Sequence, residues 1–437
     1  MPPGGQKDRA SEHKRQETHG QRYRLTLGQR WIATASRDKE LALPIQRLYR
    51  ISGDLDTRRL LSSFRSVLDE NEALRLRLHG SEGSWEQSFP DRDLVIDAVA
   101  PTGGTAARRL DWALAYLAKA SGDVLDLDGA GAFSVQLVRL DRDSHILGLT
   151  VDHLAVDATG FDLLEDRLQA AYRGEVRPSP RGRFPTYLAT RCVSEAEQSR
   201  ALAYWLDLLK NLPYAPPSGE RVLGRRATMT WRGHPLSECL EACRRARWSP
   251  FAALLAAQAL LMVHLGDSWQ VIINTPFSNR VTDEERDLLA NLAILAYLPI
   301  RLFPDEPVQQ FRDRLRRFVI VSMAHRNYDP WRLAVELDSA PDAAARTTSL
   351  VAGCNFLASP VTGRLGEPVS LDEMLPFLVR PGTLVVTCWQ SGGQFDFELI
   401  WDPDSWPLTD GSELFTAFRL VTCSDGARTV GQLLTDL

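Results

Sequence analysis

Residue types able to move a proton at neutral pH concentrate in one stretch, Val151-Asp152-His153-Leu154-Ala155-Val156-Asp157-Ala158-Thr159-Gly160. An imidazole with an ordinary pKa of ~6.5 can accept or position an amine proton near neutrality. The residues before it, 145–151, read as a buried strand, and 161–172 read as a helix. His153 therefore stands where a strand end feeds a loop, a junction that holds a side chain at a fixed, reachable position. Neighbouring strand residues point to opposite faces, which separates Asp152 from His153 and leaves Asp157, past the turn, to brace the loop. Taken alone, His-x-x-x-Asp fits a structural histidine as well as a catalytic one.

Other constellations carry less. His234, Cys239 and Cys243 fall close together, and the two cysteines share a helix face, but a fourth zinc ligand is missing and core packing is the simpler reading. His264 and His325 read as capping or core groups. No phosphate-cradling glycine loop, G-x-S-x-G elbow or CxxC pair occurs, so neither a metal nor a tightly bound cofactor is expected.

The elements that must position His153 are legible in outline. Asp56 caps a helix whose Leu60, Leu61, Phe64, Val67 and Leu68 recur at helical spacing. A strand over 94–99, a helix over 106–120 and a hairpin of 133–140 with 145–151 follow. The segment 174–185 has prolines, glycines and no apolar period, and marks the internal boundary. Beyond it come helices over 195–209 and 236–247. Ser249-Pro250 then opens an apolar helix to Leu265, with a cap oxygen followed by a residue that needs no N–H. A strand over 270–274, a helix over 308–324, strands over 350–356, 383–389 and 395–401, and a helix over 412–423 complete the order. The expected class is α+β: a disordered tail at 1–20, an N-terminal lobe at 21–178 and a C-terminal lobe at 179–437.

Composition narrows the function. The chain has 437 residues, with 51 Lys+Arg against 56 Asp+Glu and a net charge of −5, which argues against nucleic acid as a partner. Six scattered cysteines make no disulfide framework, and no signal peptide is evident, so a cytoplasmic location is expected. The apolar run 250–265 falls short of the ~18 residues a membrane span needs and reads as a core helix.

The segment at His153 resembles the HHxxxDG signature of condensation domains of nonribosomal peptide synthetases, within the superfamily of chloramphenicol acetyltransferase-like, CoA-dependent acyltransferases. The likeness extends from about Leu25 to Leu434. Leu25-Thr26-Leu27-Gly28-Gln29-Arg30-Trp31 is similar to the opening motif. Glu72-Ala73-Leu74-Arg75 matches H-E-x-L-R, with Asn71 where histidine is usual. Tyr187-Leu188-Ala189 and Ala203-Tyr204-Trp205 resemble the start of the second lobe. Asn274 to Arg280 resembles the N-R loop, and Leu298-Pro299-Ile300-Arg301 the end of the next motif, without its usual Gly and Asn. His325-Arg326-Asn327-Tyr328 and Asn355-Phe356-Leu357 match the last two motifs loosely.

The resemblance implies two acetyltransferase-like lobes in a V shape with a tunnel between them and His153 at its middle. It implies acyl or peptidyl carrier proteins as partners, arriving in trans because the chain ends soon after the second lobe. Their phosphopantetheine-tethered thioesters, or a CoA thioester, would react with a small amine or alcohol, with no nucleic acid or membrane partner. Asp157 would pair with Arg280 and shape the site. Holding both reactants in line is worth effective molarities of ~10⁵–10⁸ M against ~10²–10⁴-fold for general-base help, so positioning is expected to dominate.

Two positions depart from the signature: Asp152 replaces its first histidine and Ala158 its glycine. Asp152 is expected to face away from the tunnel, or to raise the pKa of His153 if the backbone bends. Ala158 keeps a backbone N–H for an oxyanion, and Gly160 is expected to restore the positive-φ freedom that Ala158 lacks. Members with altered signatures also serve as non-catalytic recruitment platforms, which stands as the alternative to an active condensation enzyme.

Overall fold

The strand that ends at the histidine is covered on both faces. Leu147, Leu149 and Val151 join one buried cluster and Ile146 another, the period of two that a pleated strand imposes. The computed structural model describes residues 21–35, 44–80, 84–92, 94, 96–122, 127, 131–175, 181–191, 193–209, 227–234, 236–338, 352–357, 367–369, 382–391 and 394–437. The expected tail 1–20, with His13 and His19, lies outside them, as does Cys192.

In chain order the first unit holds β1 (Tyr23–Arg24), α1 (Leu27–Ala35), β2 (Pro44–Ser52), α2 (Thr57–Glu70), β3 (Arg77–His79), β4 (Glu86–Ser88) and β5 (Ile96–Val99). It continues with α3 (Ala106–Gly122), β6 (Phe133–Asp141), β7 (Ser144–Asp152), α4 (Ala158–Arg173) and α5 (Phe184–Thr190). The second unit has α6 (Glu195–Leu209), β8 (Ala227–His234), α7 (Ser237–Arg245), α8 (Pro250–Leu265) and β9 (Gln270–Phe277). The chain then gives α9 (Asp283–Arg286) to the first unit. It resumes the second with β10 (Ile294–Arg301), α10 (Val308–Ala324), α11 (Pro330–Asp338) and β11 (Ala352–Leu357). β12 (Glu367–Val369) belongs to the first unit, and β13 (Leu384–Ser391), β14 (Gln394–Trp401), α12 (Ser412–Cys423) and α13 (Val430–Asp436) to the second.

Among the described residues the first unit has a sheet of order β12-β2-β7-β6-β5, antiparallel except for β5 with β6, and a small sheet β1-β4-β3. One face of the larger sheet packs Tyr49, Val135, Leu137 and Leu149 against Leu60, Phe64, Val67 and Leu68 of α2 and Phe161, Leu164 and Leu168 of α4. The other packs Leu48, Val138 and Ile146 against Ala113 and Leu117 of α3. The expected cap is present: Asp56 Oδ1 accepts from the Arg59 N–H at 3.0 Å.

The second unit has the order β10-β9-β11-β13-β14-β8 among the described residues, with β9/β11 and β11/β13 parallel. Pro299 is tolerated because β10 is an edge strand. The apolar helix is a core element, buried from Ala252 to Val263. Its Gln258 Nε2 donates to the carbonyls of Gly353 and Leu384 at 3.1 and 3.2 Å. Cys239 and Cys243 are buried, His264 is exposed, and His325 caps α10 while stacking on Tyr204. No single helix among the described residues is long and apolar enough to cross a membrane.

A single cut at 178/179 does not divide the chain this way. The first unit is Met1–Val193 with Ser278–Ala293 and Val361–Leu375. α5 stays with it because Phe184 packs on Phe89 (ring centroids 5.5 Å apart) and Arg183 pairs with the buried Glu72. The excursion 278–293 stays because its Arg280 is anchored at the loop after β7.

Candidate active site

The strand-to-helix turn after β7 is built by two aspartates. The Asp152 carboxylate accepts from the Leu154 N–H at 2.7 Å, and its carbonyl accepts from the Ala155 N–H at 2.9 Å. An Asx-type turn of this kind is a geometry that a histidine at 152 cannot provide in the same way. Asp157 ends the turn as N-cap of α4, accepting from the Gly160 N–H at 2.7 Å. Burial raises the Asp152 carboxyl to about 6, and the Leu154 N–H opposes the rise.

His153 keeps partial solvent access between these two buried aspartates. Its Nδ1 lies 2.9 Å from the Val156 carbonyl, so in the neutral ring Nδ1 carries the proton and Nε2 the lone pair. Desolvation pushes its pKa below the ordinary imidazole value, against smaller upward pulls from its own carbonyl, Asp157 and the Val156 carbonyl. The conditional expectation that Asp152 would raise this pKa is not met, because the Asp152 carboxylate is turned to the Leu154 N–H.

Asp157 and Arg280 form the expected pair, with Arg280 Nη2 donating to Asp157 Oδ1 at 2.9 Å and both side chains almost fully buried. Arg280 also donates to the carbonyls of Glu285, Leu288 and Ala290 at 2.6, 2.6 and 2.7 Å, and so folds the segment 280–290 around itself. The other Asp157 oxygen accepts from the N–H groups of Leu292 and Ala293, both at 3.0 Å.

The two loop residues behave differently from each other. Ala158 opens α4 at its first position, where an N–H has no partner within the helix ladder. Gly160 does not supply positive φ: it is helical, and its N–H is taken by Asp157. It is glycine for close approach, since a Cβ there would stand 2.8 Å from the Ala290 carbonyl oxygen. On α1, Gly28 lets the opposite side of this segment approach, because a Cβ would stand 2.1 Å from the Ala293 oxygen.

Three further residues reach the turn. Gln29, fully buried, donates to the Leu154 carbonyl at 2.9 Å and exchanges hydrogen bonds with Gln87 at 2.8 Å. Thr26 Oγ1 donates to the Asn291 carbonyl at 3.0 Å, and Asn291 Nδ2 donates to the His153 carbonyl at 2.6 Å. Thr26 and Gln29 lie in the opening motif, whose sequence signal was present without a role. Asn291 belongs to no motif. Asn71, where the family has histidine, accepts from Arg167, which also donates to Asp287 Oδ1 at 3.1 Å and so ties α4 to the excursion.

The family model described as Condensation domain matches residues 19–344. The chain belongs to the condensation-domain family. A curated relative, cyclosporin synthetase of Tolypocladium inflatum, is 27% identical over 334 residues, which is 70% of this chain and 2% of that protein. Tyrocidine synthase 3 of Brevibacillus parabrevis is 25% identical over 314 residues, 67% of this chain and 4% of the relative. The chain thus spans only a few per cent of the length of these curated relatives. Among solved structures, the condensation domain of the monacolin K polyketide synthase MokA has a TM-score of 0.72 at 15% identity, covering 94% of this chain and 99% of that one. The starter condensation domain of rhizomide synthetase RzmA, in complex with C8-CoA and Leu-SNAC, has a TM-score of 0.72 at 15% identity over 98% of each chain. The fold is accordingly the mixed α/β, chloramphenicol acetyltransferase-like fold of condensation domains, a family of amide-bond formation in nonribosomal peptide-type biosynthesis.

Proposed function

We propose that this condensation domain catalyses attack of an amine on an acyl thioester held on the phosphopantetheine arm of a carrier protein, with His153 as the catalytic residue. The observation that carries the reading is the orientation of one ring. Nδ1 is committed to the Val156 carbonyl, and a lowered pKa keeps Nε2 unprotonated at neutral pH. In the reaction the amine nitrogen bonds to the thioester carbon and the C–S bond breaks. The proton lost by nitrogen passes through Nε2 to the departing thiolate. Ala158, at the positive end of α4, is the backbone donor assigned to the oxyanion.

Asp152 and Ala158 are compatible with this role. The carboxylate is consumed in shaping the turn, and alanine is unstrained as the first residue of a helix. The donor can also be a soluble CoA thioester, a reading favoured by the rhizomide synthetase domain that is in complex with C8-CoA. The test is incubation with acyl-carrier and acyl-CoA thioesters plus amines, with product followed by mass spectrometry. Product formation that His153→Ala reduces by ~10²-fold or more supports the reading. A wild-type protein that binds acyl-carriers but forms no product with either donor supports the platform alternative instead.

A further inference from the structure

The ion pair of Asp157 and Arg280 does not touch the ring, yet a continuous path runs from it to His153. Asp157 Oδ2 holds the N–H groups of Leu292 and Ala293, and the residue before them is Asn291. Thr26 holds the Asn291 carbonyl from the α1 side. The Asn291 side chain, 1% exposed, then places its amide nitrogen 2.6 Å from the His153 carbonyl and 3.4 Å from Nδ1.

The direction of this amide is fixed by chemistry. Were it flipped, its oxygen would face the His153 carbonyl oxygen at 2.6 Å, acceptor against acceptor. In the orientation present, Asn291 Oδ1 is buried with no hydrogen-bond partner among the described residues. A buried acceptor left without a donor is destabilising and calls for an explanation. What the orphan oxygen secures is an N–H donor on the backbone of the histidine, with the positive end of the amide beside Nδ1.

We infer that Asn291 is a positioning residue for His153: its amide, anchored through Leu292 and Ala293 to Asp157, clamps the His153 backbone by donating to its carbonyl, and so keeps the ring where Nδ1 meets the Val156 carbonyl and Nε2 is directed to substrate. The inference deepens the acyl-transfer reading and rests on it for its purpose, though not for its test. The charged groups around the ring are Asp152 from β7, turned to Leu154, and Asp157 from the loop, neutralised by Arg280 from the excursion. The hydrogen bonds from Thr26 and from Gln29 of α1 bring uncharged groups to the turn. The amide dipole of Asn291 adds to the desolvation that keeps the ring neutral.

The experiment is ¹⁵N-histidine NMR of the full chain, with the His153 signals assigned by their loss in His153→Gln. The wild type is expected to show a neutral Nδ1–H tautomer titrating below the ordinary imidazole pKa. Asn291→Asp puts a carboxylate about where the amide stands and should move that midpoint up by ~1–2 pH units. The acid limb of kcat/KM should move with it. Asn291→Leu should mix the tautomers and lower kcat with little change in KM for the acyl donor. If either Asn291 variant folds poorly, Thr26→Val loosens the same residue more gently and should shift the tautomer balance in the same sense. An unaltered tautomer and midpoint in the folded variants would overturn the assignment, whatever happens to stability. Shifted His153 signals in a protein that makes no acyl-transfer product would leave the positioning intact and defeat the proposed reaction instead.

Discussion

Replacing Asp157 with alanine should act on folding before it acts on chemistry. Asp157 accepts four hydrogen bonds: from Gly160, Leu292, Ala293 and Arg280. Its removal strands a guanidinium whose side chain is 3% exposed and whose remaining partners are three neutral carbonyls. Breaking a buried ion pair from one side costs ~3–5 kcal/mol, and losing an N-cap acceptor adds ~1 kcal/mol. The Leu292 and Ala293 amides lose an acceptor as well. These losses share one network and do not add, so the net expectation stays at ~3–5 kcal/mol. A domain's whole stability is ~5–15 kcal/mol, so the first unit should come close to unfolding. Urea titration followed by circular dichroism reads the effect as an early transition for that unit. Adding Arg280→Met removes the stranded charge and should recover part of the loss, with a favourable coupling of ~1 kcal/mol or more. A loss below ~1 kcal/mol together with complete loss of acyl transfer would refute this reasoning, because Asp157 would then be acting on the reacting groups.

Four other outcomes follow from the same geometry. His153→Ala should lower single-turnover acyl transfer by ~10²–10⁴-fold while leaving the urea midpoint near wild type; unchanged turnover counts against His153. The wild-type acid limb should lie below the ordinary imidazole value of ~6.5, since activity needs the neutral ring and desolvation lowers its pKa. Asp152→Asn tests the other buried titrating group. A folded pKa raised to about 6 means that the folded state holds a proton the unfolded chain has lost, so the wild type gains stability as pH falls through that value. The variant should therefore be more stable than wild type at pH 8, by roughly 3 kcal/mol, and lose this pH dependence; an unchanged pH–stability curve would show that the carboxylate is not buried at such cost. Gly160→Ala should destabilise by ~1–3 kcal/mol, because the new Cβ meets the Ala290 carbonyl oxygen at 2.8 Å; a neutral result would mean that α4 and the excursion have room to part.

Local signals in the sequence determined most of the elements and the residue to look at. Helical spacing with Asp56 yielded α2, and Ser249-Pro250 yielded the start of α8, whose side-chain cap on the Ala252 N–H is 3.1 Å long. Two strand-like runs joined by the polar residues 141–144 yielded the hairpin of β6 and β7, and with it the strand end that carries His153. Such features are legible because the residues that cause them lie within a few positions of one another. The pair of Asp157 with Arg280 was anticipated through the resemblance, since no local pattern joins residues 123 positions apart. Tertiary structure alone decided the rest of the brace. Asn291 meets His153 across 138 positions, Gln29 meets Leu154 across 125, and Thr26 meets Asn291 across 265. Each bond depends on the excursion 278–293 and α1 packing on the turn after β7, and the two glycines that permit this approach, Gly28 and Gly160, have meaning only against the carbonyls they pass. Hydrogen bonds at such separations leave no period or spacing in the chain, because the backbone between them is free to be anything that folds.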